Sequence, residues 1–482
     1  MTHRSANGRF LMVVPLLLAA GCATVPTERS FERVQATVGD RVGTAIAWPT
    51  TPEGRDAIDR RVEEVLSEPL DAERAVMIAL LNNRELRAQY ARLGLADADL
   101  VEAGLLENPR LSAGLGFPDS PPSMTGIDLG ITLNLLRAIM APARKDIAGA
   151  QLDAEVLSVS DEVVRTAAET RTVFLEYQAA EHIAEVLGQI ADAADASREF
   201  ARRLHEAGNL SALDLANEQS LYEQARLEHA RSVAEAADRR ERLNAQLGLW
   251  GPQTGWSAVT RLPALPALDP DLGELESLAI RQRLDLAAAA KEVEAISMAA
   301  GLQRNWKWLL TTEVGVNGGR DTDGQWVVGP EVSVELPIFD QRQAEIARLD
   351  AALLASEAHL EGLAIQTRAD VRRLRGRLVA TRYEVEHLRD TVLPLRERIT
   401  ALTLEEYNFM LVDTFALLAA KREEIAAERA YLDGLRDYWI VRAELERAVG
   451  GRLPEESGMN GSAPPGEAAT QPHNDGGHHH AD

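Results

Sequence analysis

A long stretch without proline restricts the fold of this chain more than any other feature. Residues 143–251 contain no proline, and Gly208 and Gly248 stand where helices of that length would end. Because proline interrupts helices, such a stretch favours long ones. The segment from Ala143 to Ala207 predicts a single helix roughly 100 Å long. Ordinary globular domains do not contain a helix of that length.

The chain also repeats itself at an offset of about 199 residues. Both halves predict the same order of elements, which is helix, β-hairpin, very long helix, turn and long helix. Residues 71–250 and 271–451 are therefore predicted to be two copies of one unit. Three matching pairs define the offset: Ile147 with Ile346, Asn209 with Asn408, and Asp214 with Asp413.

The second copy predicts helices like those of the first. Its long helix is expected from Ile338 to about Glu405, with a kink or break at Pro394 because proline removes a helical hydrogen bond. The remaining predicted helices are Ala72–Leu106, Leu275–Arg304 and Val412–Val449.

Between these helices the apolar period changes from three or four residues to two, which is typical of β-strands. The first predicted hairpin covers residues 111–117 and 127–135, and the second covers residues 310–316 and 331–336 around a loop from Asn317 to Gly324. One face of each strand is apolar and suits lipid, whereas the other is small or polar and suits a lumen. The candidate lumen residues are Asp128, Glu313, Glu331 and Glu335, which either set selectivity or only wet the inner wall.

Four strands cannot close a membrane barrel, and an open sheet edge in lipid leaves backbone groups unpaired at several kcal/mol each. Two chains would supply about eight strands, too few for an aqueous bore, whereas three would supply about twelve. The predicted assembly is a trimer with a 12-stranded outer-membrane β-barrel, continued by a tunnel of about twelve helices in the periplasm.

The helix-to-helix turns carry a family resemblance. Residues 205–215 contain a glycine, a polar residue and then Asp-Leu, a pattern that resembles the periplasmic tip of the TolC family of outer-membrane channels. Residues 407–413 lack that glycine and resemble the variant found in heavy-metal efflux channels, as do residues 431–439. The resemblance spans residues 71–451. It implies a protein that is mainly α with a small β part.

The same resemblance implies a passive, non-enzymatic homotrimeric channel in a tripartite efflux pump, with heavy-metal cations as cargo. Its partners would be a periplasmic adaptor protein and an inner-membrane transporter of the resistance-nodulation-division type. The turns would constrict the closed tunnel and meet the adaptor. A simpler interpretation is that Ser211-Ala-Leu-Asp214 only starts a helix, and both roles can coexist. The candidate tip residues are Asp214, Asp413, Gly208 and Asn408.

The N-terminus resembles that of an exported lipoprotein. Arg4 and Arg9 precede an apolar run too short to span a membrane, and Leu-Ala-Ala-Gly precedes the only cysteine, Cys22. Residues 1–21 are predicted to be the signal peptide and Cys22 the lipidated residue. Because Ala23 is not the aspartate that retains lipoproteins in the inner membrane, the family rule implies an outer-membrane location.

Three segments are predicted to be peripheral: an anchored extension over residues 22–70, a proline-rich linker over residues 251–270, and a disordered tail over residues 452–482. The tail is rich in histidine, and short histidine tracts can bind metal, although a tail without a specific function is an equal alternative. The candidate metal ligands are His473, His478, His479 and His480.

A net charge of −24 argues against a nucleic-acid partner, which needs a basic surface. The sequence contains no phosphate-binding glycine loop, zinc-protease motif or serine-hydrolase motif, so neither a cofactor nor catalysis is predicted. A type I protein-secretion channel or a drug-efflux channel remains a possible alternative. In another class, a periplasmic adaptor or a structural coiled-coil lipoprotein would also use long helices, but the duplicated hairpins oppose both.

Overall fold

The computed structural model describes residues 25, 27–117, 119, 124–267, 272–306, 312–321 and 323–453. The signal peptide, Cys22 and the four tail histidines lie outside these residues. The chain is mainly helical with one small sheet, as predicted. The helices are α1 Thr27–Val42, α2 Pro52–Leu66, α3 Ala72–Asn82, α4 Arg84–Gly104, α5 Leu135–Ile139, α6 Ala141–Glu206, α7 Ala212–Leu247, α8 Leu275–Gln282, α9 Leu284–Trp306, α10 Gln343–His387, α11 Leu393–Asn408 and α12 Thr414–Val449. The strands are β1 Arg110–Gly116, β2 Gly126–Asn134, β3 Thr312–Arg320 and β4 Trp326–Val334.

The predicted long helix is present as α6, which runs unbroken for 66 residues. Its counterpart in the second repeat is α10 and α11 joined by a π-helical turn, Leu388–Val392. A kink or break was predicted at Pro394. The chain does not break there, since it stays helical on both sides, and the irregularity is the π-helical turn just before the proline. A π-helical turn is wider than an α-helical turn. It therefore accommodates the proline ring and the missing backbone N–H without ending the helix.

The two helices predicted ahead of the hairpins are each broken, contrary to expectation. The breaks lie at Asn83 and at Arg283. At the first break, the Asn83 side chain accepts a hydrogen bond from the Leu86 backbone N–H at 3.0 Å and thereby caps α4. The neighbouring Asn82 amide donates to the carbonyl oxygens of Leu247 and Gly248, at 3.0 and 2.9 Å. The end of α7 therefore packs against the break between α3 and α4.

The duplication is real, but the predicted offset of 199 residues is wrong. In the tips and at the ends of α7 and α12, equivalent positions lie 202 residues apart. Gly208 and Met410 both have left-handed backbone conformations, Ser211 and Asp413 both cap the following helix, and Gly248 and Gly450 both end a helix in a left-handed conformation. The predicted pairs Asn209 with Asn408 and Asp214 with Asp413 are therefore not equivalent. The predicted offset depended on a few isolated identities, and the two halves of the chain share too few identical residues to fix it.

Within the long helices the offset is 201. Arg171 on α6 pairs with Glu73 of α3 at 3.2 Å, and Arg372 on α10 pairs with Glu276 of α8 at 2.7 Å. Both arginines therefore tie a long helix to the short helix that opens its repeat. The π-helical turn lies between these arginines and the tips. One residue inserted there accounts for the change from 201 to 202.

The two segments predicted to be peripheral contribute to the core. Val34 and Val38 of α1 are buried in one cluster with Val159 and Val163 of α6. Within the linker, Trp256 is buried beside Tyr177, and its indole N–H donates to the Asn244 side chain at 2.8 Å. In α1 the buried residues Val34, Val38 and Val42 recur every four residues, a helical period that the sequence analysis did not use, whereas Trp256 stands among polar residues without such a period. Leu453, within the segment assigned to the tail, is also buried.

Candidate functional site

The four strands form one antiparallel sheet in the order β1-β2-β3-β4. Several strand boundaries differ from the prediction, and β4 begins at Trp326, five residues before the predicted start. β3 continues to Arg320 through the predicted loop, whereas Leu135 opens α5 and Leu336 follows β4. Within the described chain, the outer edges of β1 and β4 have no partner strand. A membrane sheet cannot leave such edges open.

The strand register collects the apolar side chains on one face. Leu111 lies opposite Ile131, which lies opposite Val316, and the same face continues through Leu129 and Val328. These large apolar side chains are exposed in the single chain. An apolar face of this extent needs lipid or protein to cover it.

The other face is polar and rich in glycine. Asp128, Glu313 and Glu331 share this face, and Glu313 accepts a hydrogen bond from Arg110 at 2.9 Å. Glu335 does not belong to the sheet, because β4 ends at Val334. Arg110 therefore neutralises the Glu313 carboxylate, whereas Asp128 and Glu331 are exposed to solvent.

Glycine is required on this face at Gly319 of β3. A Cβ at Gly319 would lie 2.6 Å from both the Asp128 carboxylate and the Ile127 carbonyl oxygen. No real Cβ approaches backbone so closely, so β2 and β3 could not keep their spacing with a side chain there.

At the far end of the long helices, two tight turns form the tips. Gly208 has a φ of +78° and ends α6, with the Asn209 N–H donating to the Leu204 carbonyl oxygen at 2.8 Å. In the second turn, Met410 takes the left-handed position with a φ of +58°, and the Leu411 N–H donates to Glu406 at 2.9 Å. Because this turn lacks the glycine of the first one, Met410 adopts a backbone conformation that is strained for a non-glycine residue. Asn408 is the last residue of α11.

Both tip aspartates act at helix starts. Asp413 caps α12 by accepting the Ala416 N–H at 2.9 Å. Asp214 lies inside the first turn of α7, where the Ser211 hydroxyl donates to its carboxylate at 2.7 Å and accepts its N–H at 3.1 Å. Asp413 is therefore a helix cap, whereas Asp214 is an acidic residue of the first turn that accepts a hydrogen bond from the Ser211 cap. Neither contact prevents the remaining carboxylate oxygen from facing solvent.

The structure brings Asp214 and Asp413 together around one groove of about 230 Å³ between the tips. Tyr407 and Glu218 also line this groove. Glu218, which sequence reasoning missed, is only 3% exposed, and its Oε2 accepts a hydrogen bond from Ser197 at 2.9 Å. Burial raises the pKa of Glu218, and the Ser197 hydrogen bond opposes this.

The second tip is also apolar, which sequence reasoning missed. Phe409, Met410 and Leu411 are exposed in succession. Among the described residues, no group of three or more His, Cys, Asp or Glu side chains is arranged to hold a metal ion. In the same part of the chain, no helix is long and apolar enough to cross a membrane.

Comparison with known proteins agrees with this architecture. A family model described as outer membrane efflux protein matches residues 76–249. Outer membrane protein OprJ of Pseudomonas aeruginosa is 26% identical over 94% of this chain and 97% of its own length. The chain is thus similar to outer membrane efflux proteins over residues 76–249, and to OprJ over nearly its whole length. These matches confirm the predicted resemblance to outer-membrane efflux channels and the predicted outer-membrane location.

Solved structures of family-like channels share the fold at lower sequence identity. The outer-membrane channel OprN superposes with a TM-score of 0.66 at 20% identity, covering 81% of this chain and 92% of that one. The CmeC outer membrane channel of Campylobacter jejuni gives a TM-score of 0.67 at 12% identity, covering 86% and 90%. The whole arrangement of helices and sheet is thus common to these proteins and this chain.

Proposed function

We propose that this chain is the outer-membrane channel subunit of a tripartite efflux pump. The carrying observation is the four-stranded sheet, which has one exposed apolar face, a polar opposite face and two unpaired edges. In a membrane, a sheet of this kind must find further strands. The helices α6 and α10–α11 continue from the sheet for roughly 100 Å, enough to form a periplasmic conduit.

The proposed assembly is a homotrimer in which β1 of one chain pairs with β4 of the next. Three sheets give a barrel of about twelve strands, wide enough for an aqueous bore. The polar face with Asp128, Glu313 and Glu331 then lines the lumen. The side chains on the other face contact lipid.

Cysteine labelling tests this orientation. Leu129→Cys should react with a lipid-phase reagent, and Thr132→Cys, on the opposite face of the same strand, should react with an aqueous reagent through the lumen. Val334→Cys and Glu331→Cys form the equivalent pair on β4. The reverse pattern would overturn the proposed orientation.

The tips are the proposed contact with the periplasmic adaptor, which in turn connects to an inner-membrane transporter of the resistance-nodulation-division type. Phe409, Met410 and Leu411 supply exposed apolar surface, and Asp214 and Asp413 supply charge. Such a mixture suits a protein partner. Three copies of each aspartate around an axis would also attract cations.

Replacing Asp214 and Asp413 by Ala separates gating from capping. Loss of the cap at Asp413 should cost about 1 kcal/mol of stability. If the carboxylates also constrict the tunnel, single-channel conductance in planar bilayers should rise and block by divalent cations should weaken. The control Asp413→Asn, with Asp214 unchanged, keeps a capping group at that turn and removes one charge. A lowered melting temperature with unchanged conductance and unchanged block would limit both residues to their contacts at the helix starts.

A lipid anchor at Cys22 is part of the proposal, supported by the preceding Leu-Ala-Ala-Gly sequence and by the absence of another cysteine. Intact-mass measurement of the mature protein should show diacylglyceryl and acyl mass on the wild type. Cys22→Ser should lack it. Equal masses apart from the substituted atom would overturn the anchor.

Heavy-metal cations are the proposed cargo. The acidic lumen face, the turn variant at residues 407–413 and the histidines at positions 473 and 478–480 support this. Cells lacking the channel should become sensitive to one or more divalent or monovalent metals and recover with the wild-type gene. Sensitivity to organic drugs with unchanged metal tolerance would favour drug efflux instead.

A further inference from the structure

The linker between the two repeats crosses three long helices and is hydrogen-bonded to each of them. Gln178 of α6 donates to two linker carbonyl oxygens at 2.8 Å, and Trp439 of α12 donates to a third at 2.9 Å. Arg382 of α10 donates to two more at 2.9 and 3.1 Å. The acceptors are the carbonyl oxygens of Val259, Arg261, Pro263, Pro266 and Ala267. Residues 259–267 therefore form a strap that ties α6, α12 and α10 together.

The π-helical turn lies directly beyond this strap. It begins roughly two helical turns after Arg382, and Pro394 follows it. Proline cannot donate a backbone hydrogen bond to the preceding turn. Prolines and π-helical turns are two of the few features at which long helices bend sharply. The second long helix is therefore easiest to bend at the position where the strap no longer holds it.

The core of the second repeat ends at the same level. Val385 is the last buried residue of α10, and it shares a cluster with Leu435 and Tyr438 of α12. No residue of α11 is buried in the single chain. Instead, α11 packs on α12, and Arg396 of α11 pairs with Glu423 of α12 at 3.2 Å. The α11 helix is therefore held by its partner helix and not by the core of its own repeat.

The first helical hairpin is different at the equivalent level. Leu187, which matches Leu388 at the 201-residue offset, lies in regular helix. It is buried together with Ile183 against Leu432 of α12. Ala201 is also buried, close to the end of α6. The first hairpin is thus packed along its length, whereas the second is packed only as far as the π-helical turn.

The α12 helix contacts both the packed hairpin and the π-helical turn. Leu432 lies against α6, as described above. Two residues further along, Gly434 lets α12 approach α10 closely. A Cβ at Gly434 would lie 3.2 Å from the Val385 Cγ2 and 3.8 Å from the Leu388 Cδ1. A side chain there would press on the start of the π-helical turn, so glycine leaves the turn room to change its geometry.

We infer that the π-helical turn is a hinge and that the strap confines the bending to it. The moving part is the hairpin of residues 393–432, and the fixed part is the first hairpin together with the strap. Asp214 lines the groove between the tips from the fixed hairpin, whereas Tyr407 and Asp413 line it from the moving one. Bending therefore changes the width of this groove. The inference rests on the proposed channel only in that a wider groove opens the tunnel.

Hydrogen–deuterium exchange of the wild-type oligomer tests the hinge without any substitution. The backbone amides of residues 388–393 should exchange at least about tenfold faster than those of residues 187–192, the matched positions of α6, because local opening is easier at the hinge. Equal exchange of the two segments would overturn the hinge.

Releasing the strap tests its part in the device. Arg382→Ala removes the strap contact on α10 and should extend fast exchange upward to residues 384–387. Arg373→Ala is the matched control, because Arg373 pairs with Asp370 of the same helix at 3.2 Å, and it should leave this exchange unchanged. Slow exchange of residues 384–387 in Arg382→Ala would overturn the role given to the strap.

Planar-bilayer recording distinguishes a hinge from an irregular helix without a function. Deletion of Thr391 combined with Pro394→Ala removes the extra residue and restores the missing N–H, so the second long helix becomes regular like α6. The fraction of time in the open level should then fall about tenfold or more, with the melting temperature unchanged or raised. Thr391→Ala keeps both the extra residue and the proline and should open like the wild type. Unchanged opening of the deletion variant would overturn the hinge.

Failure of the hinge and failure of the proposed channel give different results. A wild-type oligomer that never conducts refutes the proposed channel, and the exchange comparison still decides whether the π-helical turn bends. The same comparison decides the matter if the deletion variant does not assemble. A channel that conducts but shows equal exchange in the two matched segments keeps the proposed function and loses the hinge.

Discussion

Asp161 on α6 is a carboxylate enclosed where the two repeats meet. Burial and the neighbouring Asp285 carboxylate raise its pKa to about 6, although Arg283 and Arg447 act in the opposite direction. In the unfolded chain its pKa returns to the ordinary 3.8. The unfolded state therefore releases this proton first as the pH rises, so the group lowers stability progressively from about pH 4 to pH 6 and fully above that.

Asp161→Asn should consequently raise the stability of the protein at pH 8. We expect a gain of about 1–2 kcal/mol after allowance for solvent screening, and a difference that shrinks toward zero near pH 4. Thermal unfolding of both proteins between pH 4 and pH 8 measures it. Asp99→Asn, at an exposed position on α4, controls for the loss of one negative charge. A stability gain that is the same at every pH would contradict the role assigned to Asp161.

The tip residues illustrate what single residues reveal in a sequence. The Ser-x-x-Asp sequence identified the start of α7 correctly, and Asp413 was placed in the right turn. The equivalence of Asp214 and Asp413 was wrong, because the helix caps are Ser211 and Asp413. Glu218 escaped notice since its burial depends on α6 lying alongside α7. Nothing in its neighbouring residues indicates that.

The two repeats use the same kind of contact between helices. A glycine with left-handed backbone conformation follows α7 and α12, and each glycine packs against the helix break of its own repeat. A Cβ at Gly248 would lie 2.8 Å from the Asn82 carbonyl oxygen, and one at Gly450 would lie 3.1 Å from the Arg283 backbone nitrogen. Both glycines have positive φ, at +68° and +91°. The breaks at Asn83 and Arg283 and these glycines therefore form one joint, used twice.

Gly248→Ala should destabilise the protein by about 2 kcal/mol or more, since a left-handed alanine costs roughly 1–2 kcal/mol before the clash with Asn82 is added. Chemical denaturation measures the loss. Gly149→Ala is the matched control: a Cβ there meets no atom within 4 Å inside α6, so the change should stabilise the protein by up to about 1 kcal/mol. Equal effects at both positions would show that the joint does not depend on glycine.

For the whole molecule, the sheet commits the chain to a membrane in the proposed channel. Ile131→Arg places a charge on the apolar face and should cost about 2–4 kcal/mol near the bilayer midplane, reducing assembly in the outer membrane. Thr132→Arg, one residue along β2 and on the polar face, should assemble normally and alter ion selectivity instead. Heat-modifiable mobility of membrane extracts and conductance in planar bilayers measure the two effects. Normal assembly of Ile131→Arg would contradict the lipid-facing assignment.

Local sequence was sufficient for the order of elements, the long helix α6, the two hairpins and the alternation that separates apolar from polar faces. These features follow from period, proline and glycine, which act over a few residues. The duplication was also evident, because the same order of elements appears in each half.

Tertiary structure alone decided which positions are equivalent, where the helices break and how the linker joins the core. Pro394 indicates an irregularity in the second long helix, but only the structure shows that it is a π-helical turn, which inserts one residue without ending the helix and changes the offset from 201 to 202. The break at Asn83 exists because the end of α7 docks there, and Trp256 is buried because α6 and α7 enclose it. Each of these features depends on contacts between residues far apart in the chain, and local propensity carries no information about such contacts.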